Sequence, residues 1–193
     1  MKKALLLVSI LFISVVSTAC INKFAVQELN NKAKGYIEQG DYENAIERLK
    51  SSVDLDDTVF ETHYNLAVAY TQAEDYSNAI ESFRKAIELN PEFADAYYSL
   101  AVAEEDYSID LAKGVLTLDD SGKPVKVDEE TLAKQEKINL SEPVQKMVNE
   151  LLADAVNNYN LYLEKASNVQ DGDEVREKIQ KLLEEQQQQK TEG

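Results

Sequence analysis

Asp41-Tyr42-Glu43-Asn44-Ala45-Ile46-Glu47 returns as Asp75-Tyr76-Ser77-Asn78-Ala79-Ile80-Glu81, thirty-four residues later, with six of the seven positions identical. The same offset pairs Ala33 with Ala67, Tyr36 with Tyr70, Leu49 with Phe83 and Leu55 with Leu89. A repeat at such a period signals stacked supersecondary units, each too small to bury its own apolar face. Within each unit the apolar residues recur at steps of three and four, as one face of an α-helix requires. Asp41 and Asp75 stand just ahead of the second helix of their units, where a carboxylate caps free backbone N–H groups. Asn90-Pro91 closes the second unit, and the proline is expected in the first turn of the next helix, where it is tolerated.

This helix–turn–helix pattern resembles the tetratricopeptide repeat. In the second unit Leu66, Ala67, Tyr70, Ala79, Phe83, Ala86 and Pro91 fall on the family's positions. The first unit carries Leu29, Ala33, Tyr36, Ala45 and Leu49, with Ser52 and Asp57 in place of the usual Ala and Pro. A third opens with Tyr97, Leu100 and Ala101, but Lys113 stands where its second helix should place an Ala. The pattern resumes at Ala155, Tyr159 and Tyr162, so about forty-two residues are inserted between the two helices of one repeat.

Inside the insertion, Val115-Leu116-Thr117-Leu118 and Val125-Lys126-Val127 flank the turn-forming Asp119–Lys123, which predicts a β-hairpin leaning on neighbouring helices. Glu129 to Ile138 reads as a short helix. Ser141 caps a long one, with Pro143 in its first turn, running to about Ala166. A last helix from Gly172 to Gln189, with Val175, Ile179, Leu182 and Leu183 as its apolar stripe, covers the final unit. The fold class is therefore all-α, a helical-hairpin array with a C-terminal capping helix. Repeat 1 is expected at about 26–59, repeat 2 at 60–93, repeat 3 at 94–168 with its insertion at 107–149, the cap at 172–189 and a polar tail at 186–193.

Composition narrows the function. Thirty-six acidic against twenty basic residues in a chain of 193 leave a formal charge of −16. That argues against nucleic-acid binding, which needs clustered Lys and Arg, and against adhesion to anionic lipid by charge alone. One Cys excludes an intramolecular disulfide or a thiolate cluster, and one His excludes a multi-histidine metal site.

Met1-Lys2-Lys3 precedes a thirteen-residue apolar run, Ala4 to Val16, broken only by Ser9 and Ser14 and too short to span a bilayer. Small residues Ser17, Thr18 and Ala19 then lead into Cys20, the only cysteine. The arrangement resembles a bacterial lipoprotein signal peptide over 1–19, departing from the commonest form at Ser17. The resemblance implies lipidation of Cys20 by palmitate-like acyl chains, a linker at 20–23 and a permanent membrane anchor. Ile21 instead of Asp after the Cys favours the periplasmic side of the outer membrane in a Gram-negative cell. An ordinary secretory signal cut after Ala19 is the alternative.

Little catalytic equipment is visible. His63 falls where the family usually places Trp and reads as a packing residue, with no nucleophile fixed beside it. Glu104-Glu105-Asp106 and Asp119-Asp120 lack the spaced loop of a calcium site and read as solvated faces. There is no phosphate loop, dinucleotide fingerprint or nucleophile elbow, so no catalytic residue, metal or cofactor is expected.

Recognition is what the resemblance implies, since in this family the first helix of each repeat lines a concave groove. Carrying the groove positions over gives Asn30, Lys34, Tyr64, Asn65, Val68, Tyr98, Ser99 and Val102. The family's clamp for acidic C-termini requires two Lys, an Arg and two Asn, and only Asn65 coincides with it. Asp95 and Ser99 stand where bases belong. With Glu38, Glu61, Asp95, Glu105 and Asp106 against Lys34, the groove suits a neutral or basic segment. Tyr64 and Tyr98 also fit ordinary packing within the array, and the insertion is the other candidate surface. The expected function is a non-enzymatic protein-interaction scaffold anchored to the cell envelope and holding another envelope protein. The alternatives are a small-ligand or peptide capture protein and a non-catalytic regulatory subunit of a cell-wall enzyme.

Overall fold

The computed structural model describes residues 21–134, 139–166 and 171–192. The expected leader 1–19, the lipidation site Cys20 and the end of the expected short helix at 135–138 lie outside the described residues. Among the described residues helix α1 covers 21–38, including 21–23 of the segment expected as a linker, and Asn30 ties it to Ser52 of α2 (Tyr42–Leu55). Helices α3 (Phe60–Gln72) and α4 (Tyr76–Leu89) form the next hairpin. In the third, α5 (Ala94–Ala112) packs against α7 (Glu142–Lys165), and α8 (Gly172–Glu192) lies on α7. The chain is thus an all-α array of tetratricopeptide-type helical hairpins with a terminal helix covering the last. α8 continues through the glutamine run to Glu192, three residues past its expected end.

The repeat is visible atom by atom. Asp41 and Asp75 accept from the backbone N–H of Asn44 and Asn78, and each also receives the Asn side-chain amide, at 2.8 and 2.7 Å. The turns ahead of them close identically: Asp41 N donates to Tyr36 O and Asp75 N to Tyr70 O, both at 2.9 Å. Each turn needs one residue in the left-handed region, Gly40 at φ 74° and Glu74 at φ 59°. Glycine adopts that φ freely, whereas Glu74 carries a strain of about 1–2 kcal/mol there. Its carboxylate meets Lys126 of the hairpin, so the strained residue also ties the insertion to the array.

Small residues set the helix spacing. Ala33, Ala45, Ala67, Ala79, Ala101, Ala103 and Ala155 have no exposed surface, which lets backbones approach where the helices meet. Larger side chains fill the remaining volume, with Leu49, Phe83, Leu111 and Tyr159 almost wholly buried. Burying each is worth about 1.5–3 kcal/mol. Pro91 departs from expectation: α5 starts at Ala94, and the proline lies in the preceding turn, where its carbonyl accepts from the Tyr97 hydroxyl at 3.2 Å. On α8, Val175 and Leu182 are buried and Ile179 is partly so. Leu183 is 36 % exposed and falls off the stripe.

The insertion forms the expected hairpin. β1 (Leu116–Leu118) pairs antiparallel with β2 (Pro124–Lys126), and Asp119 closes the turn by accepting from the backbone N–H of Ser121 and Lys123. Leu116 is buried against the core and anchors the hairpin on α5 and α7. The short helix α6 (Glu129–Lys134) follows, capped by Asp128, which accepts from Thr131. Ser141 stands at the cap position of α7 without a side-chain bond to the helix, Pro143 lies in the first turn, and the helix ends at Lys165.

Candidate functional site

Because α3 and α5 occupy equivalent places in successive hairpins, their exposed faces lie side by side. Between them is a cleft of about 260 Å³. Five of the expected groove residues meet there: Tyr64 and Val68 from α3, and Tyr98, Ser99 and Val102 from α5. Thr71, Gln72 and Phe83 complete the lining. Thr71 and Gln72 sit one helical turn past Val68, a continuation that the helical period made readable. Phe83 reaches the floor from α4, which a reading of first helices alone does not include.

The cleft is built by packing as much as it is left open. Tyr64 meets Phe83 edge-on at 5.7 Å between ring centroids and Phe93 at 5.0 Å, and its hydroxyl lies 3.1 Å from Ser99 Oγ. Tyr98 packs against Tyr159 and Tyr162 at 5.6 and 5.2 Å. Both tyrosines are thus held in place while part of each ring faces the cleft. Pre-positioned rings contribute contact area at low entropic cost on binding.

The other three expected residues lie elsewhere. Asn30 turns into the seam between the first two hairpins, where its amide donates to Ser52 Oγ and Thr62 Oγ1, both at 2.9 Å. Asn65 donates to Asn30 Oδ1 at 3.2 Å, so both amides are engaged by the array. Ser52, the departure from the usual Ala, is wholly buried and serves this network. Lys34 is exposed on α1.

The acidic run Glu104-Glu105-Asp106 is not a solvated face. Glu104 has no exposed surface and points to the α5–α7 seam, where Oε2 accepts from Asn158 at 2.8 Å. Its Oε1 lies 3.5 Å from Arg84, which also reaches Asp154 at 3.3 Å, and receives no hydrogen bond. Burial pushes the Glu104 carboxyl up to about 7, outweighing the bond from Asn158 and the pull of Arg84. Glu105 accepts from the Tyr159 hydroxyl at 2.6 Å and from Lys178 of α8 at 3.3 Å. Asp106 is half-buried; burial raises its carboxyl, and Glu105 and Asp110 add to the rise against the opposing Lys178. Asp110 accepts from the Tyr76 hydroxyl at 3.0 Å. Glu38, Glu61 and Asp95 are exposed or partly so.

His63 is buried, with Nε2 at 2.8 Å from the Asp57 carbonyl. Among the described residues no group of His, Cys, Asp and Glu is arranged to hold a metal ion, and no helix is long and apolar enough to cross a membrane. A second cavity, of about 450 Å³, opens between the hairpin, α6 and the start of α7, with Leu116, Lys126, Thr131 and Val144 in its wall.

Sequence profiles of known families agree with the repeat. One described as "Tetratricopeptide repeat" matches residues 60–93, and one described as "TPR repeat" matches residues 33–73. The chain therefore carries tetratricopeptide repeats. No curated protein matches it by sequence. Solved structures of the same fold include the first TPR domain of the human RPAP3 protein, with a TM-score of 0.56 and 21 % identity over 84 % of this chain and 95 % of that one. The first TPR of Spaghetti (RPAP3) bound to the HSP90 peptide SRMEEVD aligns at TM-score 0.54 and 21 % identity, over 82 % and 92 %. The Arabidopsis OM64 TPR domain aligns at TM-score 0.55 and 12 % identity, over 83 % and 98 %.

Proposed function

We propose that this protein is a non-enzymatic scaffold that holds a segment of a partner protein in the cleft between α3 and α5, while Cys20 anchors it to the bacterial envelope. The observation that carries the reading is the convergence of Tyr64, Val68, Tyr98, Ser99 and Val102 on one cleft. Its floor is apolar; on its rim the Thr71 hydroxyl donates to the Ala67 carbonyl and Gln72 Oε1 accepts from Tyr42, which leaves the Thr71 oxygen to accept from, and the Gln72 amide nitrogen to donate to, a peptide backbone. A protein of the same fold is bound to the peptide SRMEEVD. Here the described lining of the cleft contains no Lys or Arg, which argues for a ligand of different charge from that acidic peptide. The envelope location rests on the sequence of residues 1–20, a positive start, a short apolar run and small residues before a single Cys.

Capture of a free small molecule is the weaker reading. Small-ligand sites occupy about 300–1,000 Å³, which this cleft, at about 260 Å³, does not reach; the cavity beside the hairpin, at about 450 Å³, does, and is where such a ligand would bind. Regulation of a cell-wall enzyme would use the same cleft and anchor and differs only in who the partner is.

Two experiments test the proposal in cells. A photo-crosslinking side chain at Thr71, on the rim, is compared with one at Glu81 on the exposed face of α4. Adducts to a defined envelope protein from Thr71 alone, lost in Val102→Arg, support the scaffold; equal adducts from both positions refute it. Separately, Cys20→Ala should abolish acylation and release the chain from the membrane fraction. Retention of acyl label in that variant would refute the anchor.

A further inference from the structure

We infer that the segment held in this cleft carries a branched apolar residue and, within three positions of it, a Lys or Arg. The apolar side chain enters between Tyr64 and Tyr98, and the cation meets Glu105 and Asp106. This rests on the reading that the cleft is the partner site, and it specifies the chemistry of that partner.

Two observations carry the inference. The cleft floor is Val68, Val102 and Phe83, walled by two tyrosine rings that packing holds in place. Such a floor selects shape and apolarity, because a polar side chain inserted there loses water without gaining a charged partner. Immediately beyond Val102, α5 presents Glu105 and Asp106, with Asp110 one turn further. Among the described residues, the cation that reaches this group is Lys178, bonded to Glu105. Glu105 and Asp106 against that one ammonium, with Asp110 held by the Tyr76 hydroxyl beside them, leave an excess of negative charge on a half-buried surface. The Asp106 carboxyl is raised chiefly by burial, and the neighbouring Glu105 and Asp110 add to the rise against Lys178. An incoming ammonium or guanidinium relieves that repulsion, and partial burial makes the pairing less screened than on open surface.

Geometry sets the spacing. Asp106 follows Val102 by four residues, about 6 Å along the helix axis. An extended segment advances about 3.3 Å per residue, so two positions span that distance and the length of a Lys or Arg side chain allows a third. Asp95, at the opposite end of the α5 face, adds no base that would favour an acidic ligand instead.

The test is selection of short random peptides displayed on phage against the full chain and against Val102→Arg, Asp106→Asn, Asp106→Lys and Glu81→Lys. Circular dichroism verifies that each variant is folded. The expected result is enrichment of Lys or Arg within three positions of Leu, Ile or Val. Affinity of the selected peptides should fall about tenfold in Asp106→Lys, less in Asp106→Asn, and hold in Glu81→Lys. Enrichment of acidic residues, or equal losses in Asp106→Lys and Glu81→Lys, overturns the inference, the latter because it would reveal attraction to net charge alone. Peptides lost in Val102→Arg but without a basic preference overturn the inference and leave the cleft reading standing. Selection of no peptide by the parent, or of peptides unaffected by Val102→Arg, overturns both.

Discussion

Replacing Glu104 with Gln should remove a pH-dependent weakness from the core. The buried carboxyl titrates at about 7, against 4.5 for the free side chain, because desolvation of the anion outweighs its partners. Arg84 is a poor partner, since its side chain is 60 % exposed and its guanidinium is shared with Asp154. A carboxyl raised on folding holds its proton in the native state where the unfolded chain has already released it. Stability is therefore full below about pH 4.5 and declines as pH rises to about 7. A rise of that size corresponds to about 3 kcal/mol. In the Glu104→Gln variant the amide keeps an oxygen for Asn158 and cannot ionise. The variant should thus gain about 3 kcal/mol over the parent between about pH 4.5 and pH 8, or roughly 6–12 °C in Tm for a chain of this size. Urea unfolding followed by far-ultraviolet circular dichroism at several pH values measures the gap. A stability difference that stays constant across that window would refute the reasoning, because no proton would then be linked to folding at this position.

Three further outcomes follow from the packing. Asn30→Leu removes the amide that donates to both Ser52 and Thr62 in a buried seam, leaving only their mutual contact at 3.5 Å, and should cost about 1–3 kcal/mol by urea unfolding. Ala79→Leu forces α3 and α4 apart where Ala79 has no exposed surface, and calorimetry should show a loss of about 1–3 kcal/mol or more. Leu116→Ala should cost about 2–4 kcal/mol, and hydrogen exchange should rise first in β1 and β2, since that side chain anchors the hairpin on α5 and α7.

The array was legible because its signals are local and repeated. One Asp cap and a spacing of small residues recur in each complete unit, and each reports on neighbours a few positions away; the left-handed turn residue was not readable, because Gly40 announces it and Glu74 does not. The interruption of the third unit was equally readable, since Lys113 breaks the pattern and Ala155 restores it. What escaped the sequence are contacts made across the fold. Glu104 sits in an acidic run that looks solvated, and only the return of α7, fifty-four residues later, buries it beneath Asn158. Asn30 falls on a groove position, yet Ser52 and Thr62 offer it two buried hydroxyls and draw it inward. The substitution of Ser52 for the usual Ala was the available signal, because a hydroxyl at a tight helix crossing needs a partner. Phe83 entered the cleft for a similar reason, reaching its floor from a helix that the groove pattern does not count.

The central claim is that the partner sits between α3 and α5 and not on the inserted hairpin. It is tested most directly by the affinity of the crosslinked partner segment for the parent, for Val102→Arg in the cleft and for Val125→Arg on the exposed hairpin surface. A loss of at least about tenfold is expected for Val102→Arg and less than about twofold for Val125→Arg, as a central contact differs from a remote one. A loss confined to Val125→Arg would contradict the claim and move the binding surface to the insertion.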